Sequence, residues 1–309
     1  MAIISASYKT DIPAFYGDWF RARRMAGSCQ VRNPWNGRTY PVSLRDSDCD
    51  GFVFWTRNAR PFRAELGHTA QTHPFVVQYT ITGYPRALER SVIAPAAALD
   101  DFRYISNAYG CRSAVWRYDP LVITDATPAG WHVTNFSRLA DAISGHADEV
   151  VVSFAQIYRK TRRNLDRAAR DTGNRWFDPD DAARHELLDR LRDVARASGL
   201  TLTVCAQPDL AAEAGLAAAR CIDAGRLDAV AAHMGHPPVS ARTKGARPGC
   251  LCAEARDIGG YETCPHGCVY CYAVGNQDTA KRAQKAQAPG ASVLGRTATP
   301  AQSSQTEPA

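Results

Sequence analysis

The sequence predicts an α/β fold: a partial or complete β/α (TIM-like) barrel with parallel strands. Three observations predict it. Short apolar runs recur along the chain and alternate with longer stretches of helical spacing, the pattern of parallel β/α units. A length of 309 residues suits one barrel, or one open α/β sheet, followed by a tail. Apolar residues at 45% supply a core, and charged residues at only 22% exclude wholesale disorder.

The first strand is read at Ile3-Ile4-Ser5-Ala6-Ser7. Thr10-Asp11-Ile12-Pro13 then reads as a helix start, a capping side chain with Pro in the first turn, and Gly27 stops that helix. Residues 38–44 are a candidate for a short extra strand. Residues 51–56 (Gly-Phe-Val-Phe-Trp-Thr) form a second buried strand, and residues 74–82 a third that ends at Gly83. Leu99, Phe102, Ile105 and Tyr109 recur at helical spacing, and Gly110 closes that helix. Strand 113–118 follows, ended by Asp119-Pro120, and then a helix over 132–146 with Phe136, Leu139 and Ile143 on one side. Strand 149–157 carries Val150-Val151-Val152. The best-signalled helix spans 179–198, with Asp178 as its cap, Pro179 first, acidic residues in the first turn and Gly199 at the end. A sixth strand covers 200–205, and a helix is expected over 211–223. The barrel domain is thus read as 1–276, including a cysteine-rich segment at 245–273. Residues 277–309, rich in Ala, Gln, Ser, Thr and Pro, are expected to be a disordered tail.

The formal net charge is +6, and the basic side is almost all Arg, with Lys only at 9, 160, 244, 281 and 285. This bias neither demands nor excludes an anionic partner. Arg159, Lys160, Arg162, Arg163, Arg167 and Arg170 form a basic run after the fifth strand. Such a run is either a solvated helix face or a contact for a phosphate-bearing substrate, nucleic acid included. No apolar stretch is long enough for a membrane span, and Met1 to Thr10 is no secretory leader, so a cytosolic chain without membrane contact is expected. Walker, dinucleotide-fingerprint, zincin and nucleophile-elbow motifs are absent, which leaves the corresponding enzyme classes without support.

Ten cysteines carry the chemistry. Seven of them, from Cys205 to Cys271, crowd into 67 residues near the end of the chain. In a cytosolic chain, clustered cysteines point to metal or catalysis rather than to a disulfide framework. Cys264, Cys268 and Cys271 form a C-x3-C-x2-C run in which three thiolates can converge on one metal centre. Three ligands leave a coordination position open, the mark of a reactive metal site. A structural zinc loop, with Cys250, Cys252 and His266 as further donors, is the alternative on spacing alone. Cys205, Cys221, Cys250 and Cys252 remain, enough thiolates for a second, auxiliary [4Fe–4S] cluster. The competing reading makes Cys205 and Cys221 small buried hydrophobes.

Parallel strands collect function at their C-terminal ends. Those ends are polar here: Ser5 and Ser7, Thr56 and Asn58, Gln78 and Thr80, Arg117 and Asp119, Ser153 and Gln156. Arg117 with Asp119 is either a structural pair or an anion receptor for substrate or cofactor carboxylate. Lys9 and Asp11 are candidates for the cavity rim, and Trp55 for the substrate pocket or the core.

The cysteine run, with the aromatic Tyr270 just before its last Cys, resembles the signature of the radical S-adenosylmethionine (SAM) superfamily. The ending Tyr270-Cys271-Tyr272 looks like that of spore photoproduct lyase and its relatives. The resemblance implies that Cys264, Cys268 and Cys271 hold three irons of a [4Fe–4S] cluster. The fourth iron would chelate SAM, one electron would cleave it to methionine and a 5′-deoxyadenosyl radical, and Tyr270 would lie beside the adenine. A reductase or flavodoxin-like electron donor is implied as partner. In most of that superfamily the motif follows the first strand, whereas here it follows the sixth. That late position makes the chain similar to the domain-of-unknown-function family 1848. The similarity also rests on Ile4-Ser5-Ala6-Ser7, Thr10-Asp11-Ile12-Pro13-Ala14-Phe15-Tyr16, Val53-Phe54-Trp55-Thr56-Arg57-Asn58, Thr82-Gly83-Tyr84, Trp116-Arg117-Tyr118-Asp119-Pro120, Tyr158-Arg159-Lys160-Thr161 and the stretch from Asp257 to Ala273. A radical SAM enzyme is therefore expected. The alternative is a non-catalytic iron–sulfur or zinc protein that binds a partner or nucleic acid.

Overall fold

The computed structural model describes residues 1–245 and 249–295. Eight strands form one sheet: β1 (Ala2–Ala6), β2 (Cys49–Thr56), β3 (Phe75–Thr80), β4 (Ala114–Arg117), β5 (Glu149–Val152), β6 (Thr201–Val204), β7 (Ala217–Ala218) and β8 (Ala255–Asp257). Their order is β7-β6-β5-β4-β3-β2-β1-β8. Every pairing in it is parallel. The α/β class with helices between parallel strands is therefore as expected, and the strand order is consistent with a partial β/α barrel.

Among the described residues, ten α-helices accompany the strands: α1 (Ile12–Phe15), α2 (Gly17–Met25), α3 (Arg63–Ala70), α4 (Pro95–Tyr109), α5 (Ala129–Ile143), α6 (Arg159–Thr172), α7 (Asp181–Ala197), α8 (Pro208–Glu213), α9 (Ala224–Met234) and α10 (Gln277–Lys285). Strand alternation sorts the sheet's side chains to two faces. Ile4, Phe52, Phe54, Val77, Trp116, Val150 and Val152 join the main core with Leu66, Phe102, Phe136 and Leu188 of the flanking helices. Ile3, Val53, Val76, Val115 and Val151 face the other way. There they meet Leu227 and Val230 of α9 together with Cys221 and Cys252. The inner face is thus filled by α9 and by the cysteine-bearing segments.

Several expectations are corrected. The helix expected over 211–223 is the short α8. Gly215 then turns the backbone at φ +63°, and Ala217–Ala218 runs as β7 along the open edge of β6. The Asp178 cap belongs to Asp180, whose side chain accepts from Ala183 N, because Pro179 lies ahead of the helix; Asp178 instead binds Arg184 at 2.8 Å. The short strand near residue 40 exists as Thr39–Ser43, but it pairs antiparallel with Ser28–Arg32, outside the main sheet. The stretch expected to be disordered from Gln277 is ordered over 277–295. Asn276 caps α10, Ala280 is fully buried, Trp19 Nε1 donates to Ala291 O at 2.8 Å, and Leu294 joins the main core. Residues 296–309 of that expected tail lie outside the described residues. No described helix is long and apolar enough to cross a membrane.

Candidate functional site: the cysteine loop and the polar inner face

The loop from Cys264 to Cys271 lies against segments that leave the C-terminal ends of β1, β2 and β3. Its approach runs from Asp257 at the end of β8 through Gly259, where a Cβ would come within 2.0 Å of Ser7 Oγ, so only glycine fits. Thr10 Oγ1 donates to Gly260 O at 2.7 Å, and Tyr16 Oη to Thr263 O at 2.7 Å. Within the loop, Gly267 has φ +77° and a Cβ there would press on Arg90. The backbone of 88–91 clasps the loop: Val269 N donates to Leu88 O at 3.0 Å, Ser91 N to His266 O at 2.9 Å, and Glu89 bridges Cys268.

Asp11 is the anchor on the β1 side. Its Oδ1 caps α1 at Ala14 N (2.9 Å), and its Oδ2 accepts from Arg57 N (2.8 Å) and lies 2.6 Å from His266 Nε2. The network makes Nε2 the donor. His266 Nδ1 is buried and has no protein partner.

None of the ten cysteines is in a disulfide. Cys264, Cys268 and Cys271 are half-buried, and burial raises all three thiol pKa values, that of Cys268 to about 12. Opposing groups favour the thiolate. His266 N donates to Cys264, Ala273 N and Val274 N donate to Cys271, and the Arg57 cation acts on Cys268 and Cys271. Cys264 also feels both other loop thiols, so the three share one electrostatic neighbourhood. As they stand, no three His, Cys, Asp or Glu side chains among the described residues are grouped so that they could hold a single metal ion.

Beside the loop, Glu89 gathers three donors. Arg57 Nη1 lies 2.6 Å from its Oε1, Thr82 Oγ1 donates to it at 2.6 Å, and the Tyr270 hydroxyl donates to the same oxygen. Arg57 Nη2 donates to Tyr270 Oη at 2.8 Å. Burial alone would lower the Arg57 pKa, but Glu89 and Tyr270 raise it well above its usual value. A cleft of about 140 Å³ opens here, lined by Arg57, Thr80, Thr82, Arg86 and Glu89 among others.

A polar strip crosses the inner face of the sheet. Asp257 accepts from Ser5 Oγ (3.0 Å) and Ser7 Oγ (2.9 Å) and pairs with Lys9 Nζ (3.1 Å). Trp55 Nε1 donates to Ser5 Oγ at 3.2 Å, and the Arg117 guanidinium lies over the Trp55 ring at 5.0 Å. Arg117 binds Asp119 through Nε (3.0 Å) and Nη2 (2.6 Å), and its Nη1 donates to Gln78 Oε1 (3.1 Å) and Cys221 Sγ (3.0 Å). Cys205 Sγ and Cys221 Sγ are 3.2 Å apart, Cys221 is within hydrogen-bonding reach of Cys252, and Cys252 of Cys250.

The expected site residues therefore fall into three groups. Cys264, Cys268, Cys271 and Tyr270 sit on the loop, with Asp11 as its anchor and Thr80 in the adjoining cleft. Ser5, Ser7 and Lys9 converge on Asp257. Gln78, Arg117 and Asp119 lie with Cys205 and Cys221, and Cys221 leads to Cys252 and Cys250. Trp55 joins the second group to the third and is only half-buried. Arg57, Glu89, Thr82 and Asp257 are not among the expected site residues, and His266 is expected only as a donor of the zinc-loop alternative. For Arg57 the signal was its place just past a strand's C-terminal end; Glu89 lies in a loop and had none.

A family model described as Domain of unknown function (DUF1848) matches residues 3–273. No curated protein and no solved structure matches the chain.

Proposed function

The chain belongs to the DUF1848 family, and we propose that it is a radical SAM enzyme whose [4Fe–4S] cluster is held by Cys264, Cys268 and Cys271. The single observation that carries this reading is the loop. It offers three thiols in one electrostatic neighbourhood, with backbone N–H donors on Cys264 and Cys271. The unpartnered His266 Nδ1 leaves a buried polar atom inside the loop for a bound group to satisfy.

Cys264, Cys268 and Cys271 would hold the cluster, and the chemistry it would supply there is the one-electron reductive cleavage of SAM. The chain's own residues do the rest. Asp11 and the 88–91 backbone fix the loop. Arg57 offsets part of the negative charge of the Cys268 and Cys271 thiolates. Glu89 fixes the Tyr270 hydroxyl and so the tilt of its ring. Main-chain clasps on the loop restrict water around the sulfurs.

The test is anaerobic reconstitution followed by SAM and dithionite. Protein with about four irons per chain should yield 5′-deoxyadenosine, and Cys268→Ala should abolish both the iron and the product. Colourless protein carrying zinc and no iron overturns the reading. A second reading, a binder without turnover, draws on α6, where Arg159, Arg162, Arg163, Arg167 and Arg170 are exposed. It predicts salt-dependent nucleic-acid binding and no 5′-deoxyadenosine. An acidic flavodoxin-like electron donor is the partner that the first reading assigns to the same face.

A further inference from the structure

Four cysteines outside the loop come from separate parts of the sequence to one place. Cys205 follows β6, Cys221 follows β7, and Cys250 and Cys252 precede β8. They meet on the inner face of the sheet, where Cys221 and Cys252 are buried in an apolar cluster with Cys205 and Cys250 packed against it. The contacts run Cys205 to Cys221 (3.2 Å between sulfurs), Cys221 to Cys252 and Cys252 to Cys250. Ile222 N donates to Cys252 Sγ at 3.3 Å, and Arg117 Nη1 donates to Cys221 Sγ at 3.0 Å.

Cysteines that merely fill a core need no cation aimed at them. Arg117 is buried, and a buried guanidinium is costly unless it is fully engaged. Its fourth interaction is spent on sulfur. Four thiolates on a divalent ion carry a net charge of −2, and a fixed cation beside them offsets part of that charge. Spacing then separates a single ion from a cube. Metal–sulfur bonds of about 2.3 Å put the sulfurs of a tetrahedral site about 3.8 Å apart. Cys205 and Cys221, 3.2 Å apart, are near that edge length, which the thiolates of a four-iron cube are not; the four sulfurs do not close on a common point until an ion draws them there.

We propose that Cys205, Cys221, Cys250 and Cys252 form a second metal centre, a tetrahedral four-thiolate site for one thiophilic divalent ion of the zinc type. The ion ties the C-x-C segment before β8 to the ends of β6 and β7. Its binding releases the four thiol protons and draws the ends of the contact chain, Cys205 and Cys250, onto a common point. Arg117 is a positioning residue for this centre, held by Asp119 and Gln78 and touching the ligand Cys221. The site stands whether or not the loop carries an iron–sulfur cluster, and it replaces the auxiliary cube expected from the cysteine count.

The test uses the full chain with Cys264→Ala, Cys268→Ala and Cys271→Ala, which removes the loop ligands. Chelator-treated and reduced, this protein should bind one zinc per chain. Cobalt(II) in its place should give the intense visible bands and sulfur charge-transfer absorption of a four-thiolate site. Adding Cys221→Ser should abolish both. Should the loop variant fail to fold, the unaltered chain serves. Zinc should then protect Cys205, Cys221, Cys250 and Cys252 together from alkylation, as mapped by mass spectrometry. Absence of binding, a Cys205–Cys221 disulfide without metal, or iron and sulfide retained in the loop variant would each overturn the proposal. Loss of 5′-deoxyadenosine formation in the loop variant bears only on the radical reading.

Discussion

His266 Nε2 meets Asp11 Oδ2 at 2.6 Å, across 255 residues of sequence. The contact fastens the middle of the cysteine loop to the turn that follows the first strand. The same carboxylate caps α1 and accepts the Arg57 amide. Asp11→Ala therefore removes a helix cap and leaves two further buried donors without an acceptor. Stability should fall by about 2–4 kcal/mol. Asp11→Asn keeps an oxygen for the cap and should cost less. Denaturant titration of both variants checks this; equal midpoints for Asp11→Ala and wild type would refute the anchoring role.

Glu89→Ala leaves the Arg57 guanidinium buried without its counter-ion and strips the Tyr270 hydroxyl of its acceptor. A loss of about 3–5 kcal/mol is expected. Glu89→Gln, which still accepts a hydrogen bond, should lose less. On the proposed reading, reconstituted Glu89→Gln should bind as much iron as wild type, because Glu89 touches Tyr270 and the Cys268 backbone rather than a sulfur. Unfolding curves and iron analysis together separate the two effects.

His132 is wholly buried, with Nδ1 3.1 Å from the Tyr118 hydroxyl and Nε2 3.2 Å from Val122 O, and rings of Tyr84 and Trp131 pack against it. Burial lowers its pKa from 6.5 to about 4. The folded pKa lies below the unfolded one, so the unfolded chain takes up the proton first as pH falls. The contribution is fully present above pH 6.5 and is lost progressively down to about pH 4. The total is roughly 3 kcal/mol. Stability measured across that window should fall, and His132→Gln should flatten the slope. An unchanged slope would contradict the assignment.

Leu294 is 6% exposed and sits in the main core, although it lies 21 residues beyond the last one the family model matches. Leu294→Ala should cost about 2–4 kcal/mol, the range for truncating a buried leucine. Thermal unfolding within about 0.5 kcal/mol of wild type would show that the segment after α10 contributes nothing to the core.

The strands that could be read in the sequence share one property. Val150-Val151-Val152 and Phe52-Val53-Phe54 are β-branched or aromatic runs buried on both faces, and such runs have few other homes. Ala217–Ala218 and Ala255–Asp257 have no such signature. Alanine favours helix, and Arg256 and Asp257 are charged; only the unpaired edges of β6 and β1 make them strands. The same limit applies to the site. Cys264, Cys268 and Cys271 announce themselves by spacing within eight residues. Glu89 and Arg57 lie 32 residues apart, and Asp257 is 252 residues from Ser5, so nothing local marks them as partners. The gathering of Cys205 and Cys221 with Cys252 and Cys250 was legible only as a count. It took the return of the chain after β7 across the inner face to make it a place.

The pairing of β8 with β1 joins the two extremes of the fold. On a ribosome, the first strand emerges long before its last neighbour exists. The sulfur-bearing loop is thus translated after all eight strands of the sheet and nine of the ten described helices. Its thiols reach the solvent only when Asp11, Arg57 and the 88–91 clasp can already receive them. A nascent chain laid down in that order offers scavenging cations no exposed trio of sulfurs until the cradle for them is complete.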